Sequence, residues 1–561
     1  MNRLYRLLAT PPLTSVLLLL PIAGFFIYFF TLRYNIPWFD DFENIPYFLD
    51  RFLGAPSFHE AVSALLRPNN EHRVVYARLV VLAQYALTGG INFANLMLWG
   101  NAGLVLIFYL LYRALKQQEL SPQTARVGLL IAPLLLFTAQ TYIMTFTAIF
   151  SLQYLTIITL VTATLFVLAT ERRSYFTVAI GLGLLSTFSM GNGLLLWPAG
   201  ACMLFIQRRW ISLTIWIATG ILGGYLYFLG YPVQQGNAEG FSYVLEHPLK
   251  TLAGFLIFAG SPFDLFPTLP ETYRFYLPFL AGSILIAGLG YWLLKTLFSS
   301  RKNNSFFETF ILGCLLFLVV NIALIAFFRL RFYFGMALHI PYRIYALSLW
   351  AVASVLLFSQ LTKTARTRFW PLVWGVFLGL NLFTYYTYLP EAIERRKHMQ
   401  GLAFNQLHSA IGLGGSRNSN LAQYIASLID LMAKRNWYHL PDPAITPDER
   451  KVLLPVNKTA SLNPLQIKRD GDYIVVESNE PNYSVGLHQG IYLVMRSDRH
   501  VYLLDAVKKR PASFKPWQVE PGFFTPMPIY MIQSGRYQLG VFRTYPDHSE
   551  LAFGNQQVDV P

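Results

Sequence analysis

Residues 13–32 read LTSVLLLLPIAGFFIYFFTL, and WFDDFE follows at residues 38–43. Twenty residues of helix at ~1.5 Å each cover the ~30 Å hydrocarbon core of a bilayer. The run carries no charge, and no small-residue cleavage site follows it, so it reads as a retained membrane helix rather than a signal peptide. The helix should emerge into water at Trp38, Phe39, Asp40, Asp41, Phe42 and Glu43. Carboxylates close to hydrocarbon are costly, so such a cluster has either a chemical task or a cationic partner. A solvated Asp pair capping a loop is the other reading.

Working outward, the whole chain agrees with a membrane class. Of 561 residues, 54% are hydrophobic and 13% charged, where a soluble domain carries ~25% charged. Apolar runs at 13–32, 91–112, 126–142, 148–170, 175–191, 193–206, 211–230, 276–298, 306–328, 344–361 and 369–389 read as about eleven transmembrane helices. Gly191-Asn192-Gly193 splits two short runs, which form either a tight hairpin or two broken helices packed inside the protein. Cys202 and Cys314 sit in apolar segments and read as buried, inert thiols.

The net charge of +15 does not point to nucleic acid, because most of the basic residues lie in short clusters between apolar runs. Arg3/Arg6, Arg113/Lys116, Arg172/Arg173, Arg208/Arg209, Lys295/Arg301/Lys302 and Lys363/Arg366/Arg368 fall on alternate loops, the positive-inside pattern. The N-terminus is then cytoplasmic. Loops 33–90, 231–275 and 328–343 face outward, as does everything after Leu389. Residues 1–390 form the membrane domain, 391–440 a helical connector, and 441–561 a β-rich extracytoplasmic domain. Strands are expected at 473–477, 490–496, 501–507, 528–532 and 537–543, punctuated by Gly, Pro, Asn and Asp.

The polar residues of interest fall on the outward side. Asn69-Asn70-Glu71-His72-Arg73 suggests a turn opening a partly embedded helix over 72–88, with Glu71 at its cap; an ordinary charged helix start is the plainer reading. Arg329, Arg331, His339, Tyr342 and Arg343 run against the positive-inside bias. An arginine grips phosphate through two parallel hydrogen bonds, which favours an anionic ligand at Arg343; snorkelling to lipid headgroups is the alternative for Arg329 and Arg331. Asp264 and Glu271 lie in a proline-rich loop and can line an entrance. No nucleotide, zinc-protease or CxxC motif occurs.

Four stretches, Trp38–Phe42, Asn70–Arg73, Ser189–Pro198 and Tyr342-Arg343 leading a span, occur in this order after a first membrane helix. In this, residues 1–390 resemble the GT-C superfamily of polytopic glycosyltransferases, and in particular a set of bacterial membrane proteins of that type. The resemblance implies transfer of a sugar from a polyprenyl-phosphate carrier in the bacterial cytoplasmic (inner) membrane to an extracytoplasmic glycan, lipid or protein acceptor, with inversion. Asp40 or Asp41 would take the acceptor proton, and Glu43, Glu71, His72, Arg73, Tyr342 and Arg343 would bind substrate. No cofactor is expected; Asp40, Asp41 and Glu43 are the place for a divalent cation, were one required. A transporter or flippase of lipid-linked sugars is the alternative, and it fits less well because the spans are nearly free of Asp, Glu and Lys.

Overall fold

The computed structural model describes residues 2–70, 72–231, 237–297, 305–454, 464–480, 486–487, 489–515, 517–518 and 520–561. The fold is 67% helical with a β-rich C-terminal region. Among the described residues nine helices are long and apolar enough to cross a membrane. They begin with Pro11–Leu32 and end with Lys363–Ser409, and seven lie between: Phe93–Leu115, Pro122–Thr145, Ala148–Ala169, Trp210–Phe228, Glu271–Thr296, Phe306–Arg329 and Ile340–Gln360. Two compact units emerge: 1–30 with 51–80 and 96–387, and 31–50 with 81–95 and 388–561.

In the first unit, backbone irregularity is met by side chains. The segment Pro122–Thr145 is a chain of short helical pieces rather than one rod. Proline at 133 and the turn at Phe137–Thr138 break its ladder, and the freed carbonyls need donors. Asn381 Nδ2 donates to Leu134 O (2.7 Å) and Phe137 O (3.2 Å), and Trp370 Nε1 donates to Val127 O (2.9 Å). The two runs around Gly191-Asn192-Gly193 are helices Arg173–Ser189 and Leu196–Ile206, joined by a 3-10 turn at Gly191–Leu195. A Cβ at Gly193 would stand 2.1 Å from Ser186 O, so the turn closes only with glycine.

In the first unit three expectations need correction. The stretch 231–275 is not all loop: helices Asn237–Glu246 and Pro248–Ala259 lie within it. Pro248–Ala259 crosses Tyr276–Leu297 backbone to backbone, because a Cβ on Gly260 would meet Pro278 O at 1.9 Å and one on Gly282 would meet Leu256 O at 1.8 Å. The helix after Asn70 starts at Val75, not at 71 or 72. Asn69 and His72 exchange backbone hydrogen bonds (2.7 and 2.9 Å) around Asn70 at φ 48°, a left-handed turn that asparagine tolerates. Finally, Cys202 is exposed while Cys314 is buried as expected.

The second unit joins the first long loop to the tail. Tyr438 Oη donates to Asn35 O (2.6 Å), and Phe93 N donates to Asn35 Oδ1 (2.8 Å). Ile91 N donates to Trp437 O (2.8 Å). Strands β1 (Gln466–Asp470), β2 (Tyr473–Ser478), β3 (Gly490–Arg496), β4 (Val501–Asp505), β5 (Val507–Lys508), β6 (Phe523–Pro528), β7 (Gly535–Thr544) and β8 (Ser549–Val560) form two antiparallel sheets, ordered β1-β2-β6-β5 and β4-β3-β7-β8. Alternating inward residues of β2, β3 and β7, among them Val476, Leu493, Met495, Leu539 and Val541, make the core. Residues 529–531 are a 3-10 turn; the strand expected at 528–532 lies earlier, at β6.

Helix Lys363–Ser409 has 47 residues and so is ~70 Å long, more than twice the ~30 Å that a bilayer needs. Its apolar stretch ends near Leu389, and its last turns, in the second unit, cover the edge strand β4. Asn405 pairs both the C=O and the N–H of Leu503 (2.9 and 2.7 Å), and Ser409 Oγ donates to Val501 O (2.8 Å). A bare sheet edge is thereby protected from pairing with another chain.

Candidate functional site

The acidic cluster belongs to the second unit, and its two aspartates differ. Asp41 is fully buried and its carboxylate accepts the Trp38 amide at 2.9 Å, closing a tight turn. Within that turn Phe39 holds φ at 54°, a region where a large side chain is strained, and the residue is 61% exposed. Asp40 is half-buried, and only its backbone carbonyl is used by the side chain of Asn44 (2.9 Å). Burial, and then the neighbouring Glu43 carboxylate, push the Asp40 carboxyl above the ordinary range. Glu43 accepts a short hydrogen bond from Tyr424 Oη at 2.5 Å. Arg395 lies over the Trp38 ring, 4.2 Å from its centroid. Tyr424 and Arg395 come from sequence some 350 residues or more downstream, so no local pattern announces them.

In the first unit the stretches Asn70–Arg73 and Ser189–Pro198 meet each other and the helix that Tyr342-Arg343 leads. Gly191 N–H donates to His72 Nδ1 (3.4 Å). Asn192 Nδ2 donates to Asn321 Oδ1 and to Tyr345 Oη, both at 3.1 Å. Tyr342 sets its ring 5.9 Å from that of Tyr154. Arg73 is buried with its guanidinium donating to carbonyls of Tyr227 (2.8 Å), Leu229 (2.6 Å) and Leu66. Arg78 donates to the carbonyls of Ala64 (3.2 Å), Leu65 (2.9 Å) and Arg67 (2.5 Å). The two arginines thus satisfy the orphan carbonyls ending helix Phe58–Leu66, where a cation also suits the helix dipole. Glu71 lies outside the described residues.

Arg343 is fully buried, and its charge is met inside the protein. It donates to Asp264 Oδ2 (2.7 Å) and to Leu338 O (3.0 Å), while Arg274 takes Asp264 with two further bonds (3.0 and 2.6 Å). Burial alone would raise the Asp264 carboxyl, but the two guanidinium groups outweigh it and hold it below the usual range. Asp264 is therefore the partner of Arg343, 79 residues away in the chain. Arg329 and Arg331 both lie over the ring of Phe332, at 5.9 and 4.9 Å.

Among the described residues, the metal-capable side chains that come together are His408, Asp442 and Glu449, within 4.8 Å of one another, and not the Asp40–Glu43 cluster. Glu449 already accepts the amides of Ala444 (2.9 Å), Ile445 (2.6 Å) and Thr446 (3.3 Å) as the cap of a turn, so the place of Glu449 is accounted for by local folding. Compared with known proteins, the chain matches no family model, no curated sequence and no solved structure.

Proposed function

We propose that this chain is a membrane-embedded glycosyltransferase that takes a sugar from a polyprenyl-phosphate carrier, with Asp40 as the base. The observation that carries the reading is the division of labour within Asp40-Asp41. Asp41 is committed to the turn, whereas Asp40 keeps an accessible carboxyl with raised proton affinity at the end of the first apolar helix. A general base must reach the proton it removes and works best when its pKa approaches the working pH. In the reaction Asp40 accepts the hydroxyl proton of the acceptor, the acceptor oxygen bonds to the anomeric carbon, and the bond from that carbon to the carrier phosphate breaks. One displacement inverts the anomeric centre.

The departing lipid phosphate gains negative charge and needs a cation. Arg395, which lies over the Trp38 ring in the unit of Asp40, is the cation assigned to this task; Arg343 lies in the first unit, bonded to Asp264. The chain enters the bilayer through the nine apolar helices, with the tail and loop 33–50 extracytoplasmic in the inner membrane of a bacterium. The test uses purified protein in nanodiscs with a set of synthetic polyprenyl-phosphate hexoses and pentoses and a cell-envelope extract that supplies glycan, lipid and protein acceptors, measuring acceptor-dependent release of free polyprenyl phosphate. Asp40→Asn should lower the rate by ~10²–10⁴-fold. Absence of release with every donor, or unchanged release in Asp40→Asn, would overturn the proposal.

A further inference from the structure

The second unit holds a partly open cavity of about 230 Å³ between the last turns of helix Lys363–Ser409 and strands β2, β4 and β6. Flat apolar groups form much of its wall: Tyr473, Tyr502, Pro526 and Pro528. His398 and Asp505 line it too, bonded to each other through Nδ1 and Oδ1 at 2.8 Å. With these atoms engaged, His398 offers Nε2 and Asp505 offers its second oxygen. Both side chains keep access to solvent, at 49% and 21% exposure.

We infer that this cavity is a saccharide-binding site for a single pyranose ring of a glycan. Three features of the wall select that chemistry. A purely apolar guest would strip water from the Asp505 carboxylate and give nothing back. A phosphate or carboxylate would face Asp505 as a like charge, and the Lys397 ammonium beside Asp505 is already engaged by Gln489 O and Glu394. A pyranose meets both halves of the site. Its C–H face lies on the tyrosine and proline surfaces, and its adjacent hydroxyls donate to Asp505 and exchange a hydrogen bond with His398 Nε2. The volume sets the size, because pockets for drug-sized ligands run from ~300 to 1,000 Å³ and this one is smaller. The rigid setting also favours binding. Asn405 fixes Leu503 at both backbone groups, and Tyr502 Oη accepts Gln533 N–H (3.1 Å), so the cavity wall is built before a ligand arrives.

This inference does not depend on Asp40, since it concerns binding and not transfer. The experiment uses the full chain in nanodiscs and a panel of methyl α- and β-pyranosides (gluco, manno, galacto and xylo) with their disaccharides. Binding is read by saturation-transfer NMR and titration. At least one glycoside should saturate the site. Asp505→Asn, which keeps shape but removes charge, should weaken it about tenfold, the loss of a charge-assisted hydrogen bond. Tyr473→Ala should weaken it as well; because Tyr473 is 41% exposed, this change leaves the sheet core intact, as an unchanged melting temperature will verify. If no glycoside saturates, if benzyl alcohol binds more tightly than every glycoside, or if both variants bind like the parent, the saccharide assignment is wrong.

Discussion

Asp40 and Asp41 are neighbours in the chain with opposite surroundings, and that difference predicts different losses. Asp40 must be ionised to act as a base. Its pKa is raised by burial and Glu43, so the rate should be full well above that pKa and fall as pH drops through it. The fall begins at a higher pH than for an aspartate in water, and a pH–rate profile should lose this limb in Asp40→Asn. Asp41→Ala removes the acceptor of the Trp38 amide and should cost ~1–3 kcal/mol of stability, visible in the melting temperature. Asp41→Asn keeps an acceptor and should retain most of the transfer rate; a collapse of rate at an unchanged melting temperature would instead make Asp41 the base. Arg343→Ala should destabilise the first unit by ~3–5 kcal/mol, because it strips one partner from a buried carboxylate. Adding Asp264→Asn should recover part of that loss in the double variant. Recovery would mark Arg343 as structural, and a pure loss of polyprenyl-phosphate binding with normal melting would return it to the phosphate site.

At the scale of elements, the crossing of Pro248–Ala259 with Tyr276–Leu297 depends on two missing side chains. Small residues let helix backbones approach closely in lipid, and Gly260 and Gly282 each face the other helix's carbonyls. Gly282→Ala inserts a methyl group 1.8 Å from Leu256 O, so the helices must separate. The cost should reach ~1–3 kcal/mol and show as a lower melting temperature in detergent, whereas Gly375→Ala, with open space around it, should be nearly neutral. The same elements explain what was legible in the sequence. Long apolar runs such as 306–328 and 211–230 match helices Phe306–Arg329 and Trp210–Phe228 within a residue or two, since hydropathy at that length leaves little alternative. Two elements were not legible. Pro248–Ala259 is too short for a span, and β8 lies in a polar edge sequence whose inward residues alternate only in part. The candidate site was half legible. The Asp-Asp pair stands out because of where it sits, but the partners that divide its roles, Tyr424 and Arg395, and the Asp264 that holds Arg343, are joined by folding over long separations.

For the whole molecule, the strongest constraint is that residues 31–50, 81–95 and 388–561 make one compact unit. Asn35 is bonded to Tyr438, and Glu43 to Tyr424. A bilayer cannot pass through a packed unit whose polar groups are joined in this way, so loop 33–50 and the tail must face the same side. In the orientation we propose, from the basic clusters on alternate loops, that side is the exterior and Arg172 lies in the cytoplasm. Single cysteines at Phe39, Trp517 and Arg172 test both statements, with Cys202→Ser as the background because Cys202 is exposed and Cys314 is buried. Phe39 and Trp517 are more than half exposed (61% and 62%), so a membrane-impermeant maleimide can reach them. In intact spheroplasts Phe39→Cys and Trp517→Cys should label at once, and Arg172→Cys only after lysis. If both 39 and 517 label only after lysis, the orientation is inverted and a carrier sugar would have to be used from the cytoplasmic face. If 39 and 517 label from opposite sides, the tail does not fold onto the first loop, and the saccharide cavity and the base are no longer on one side of the membrane.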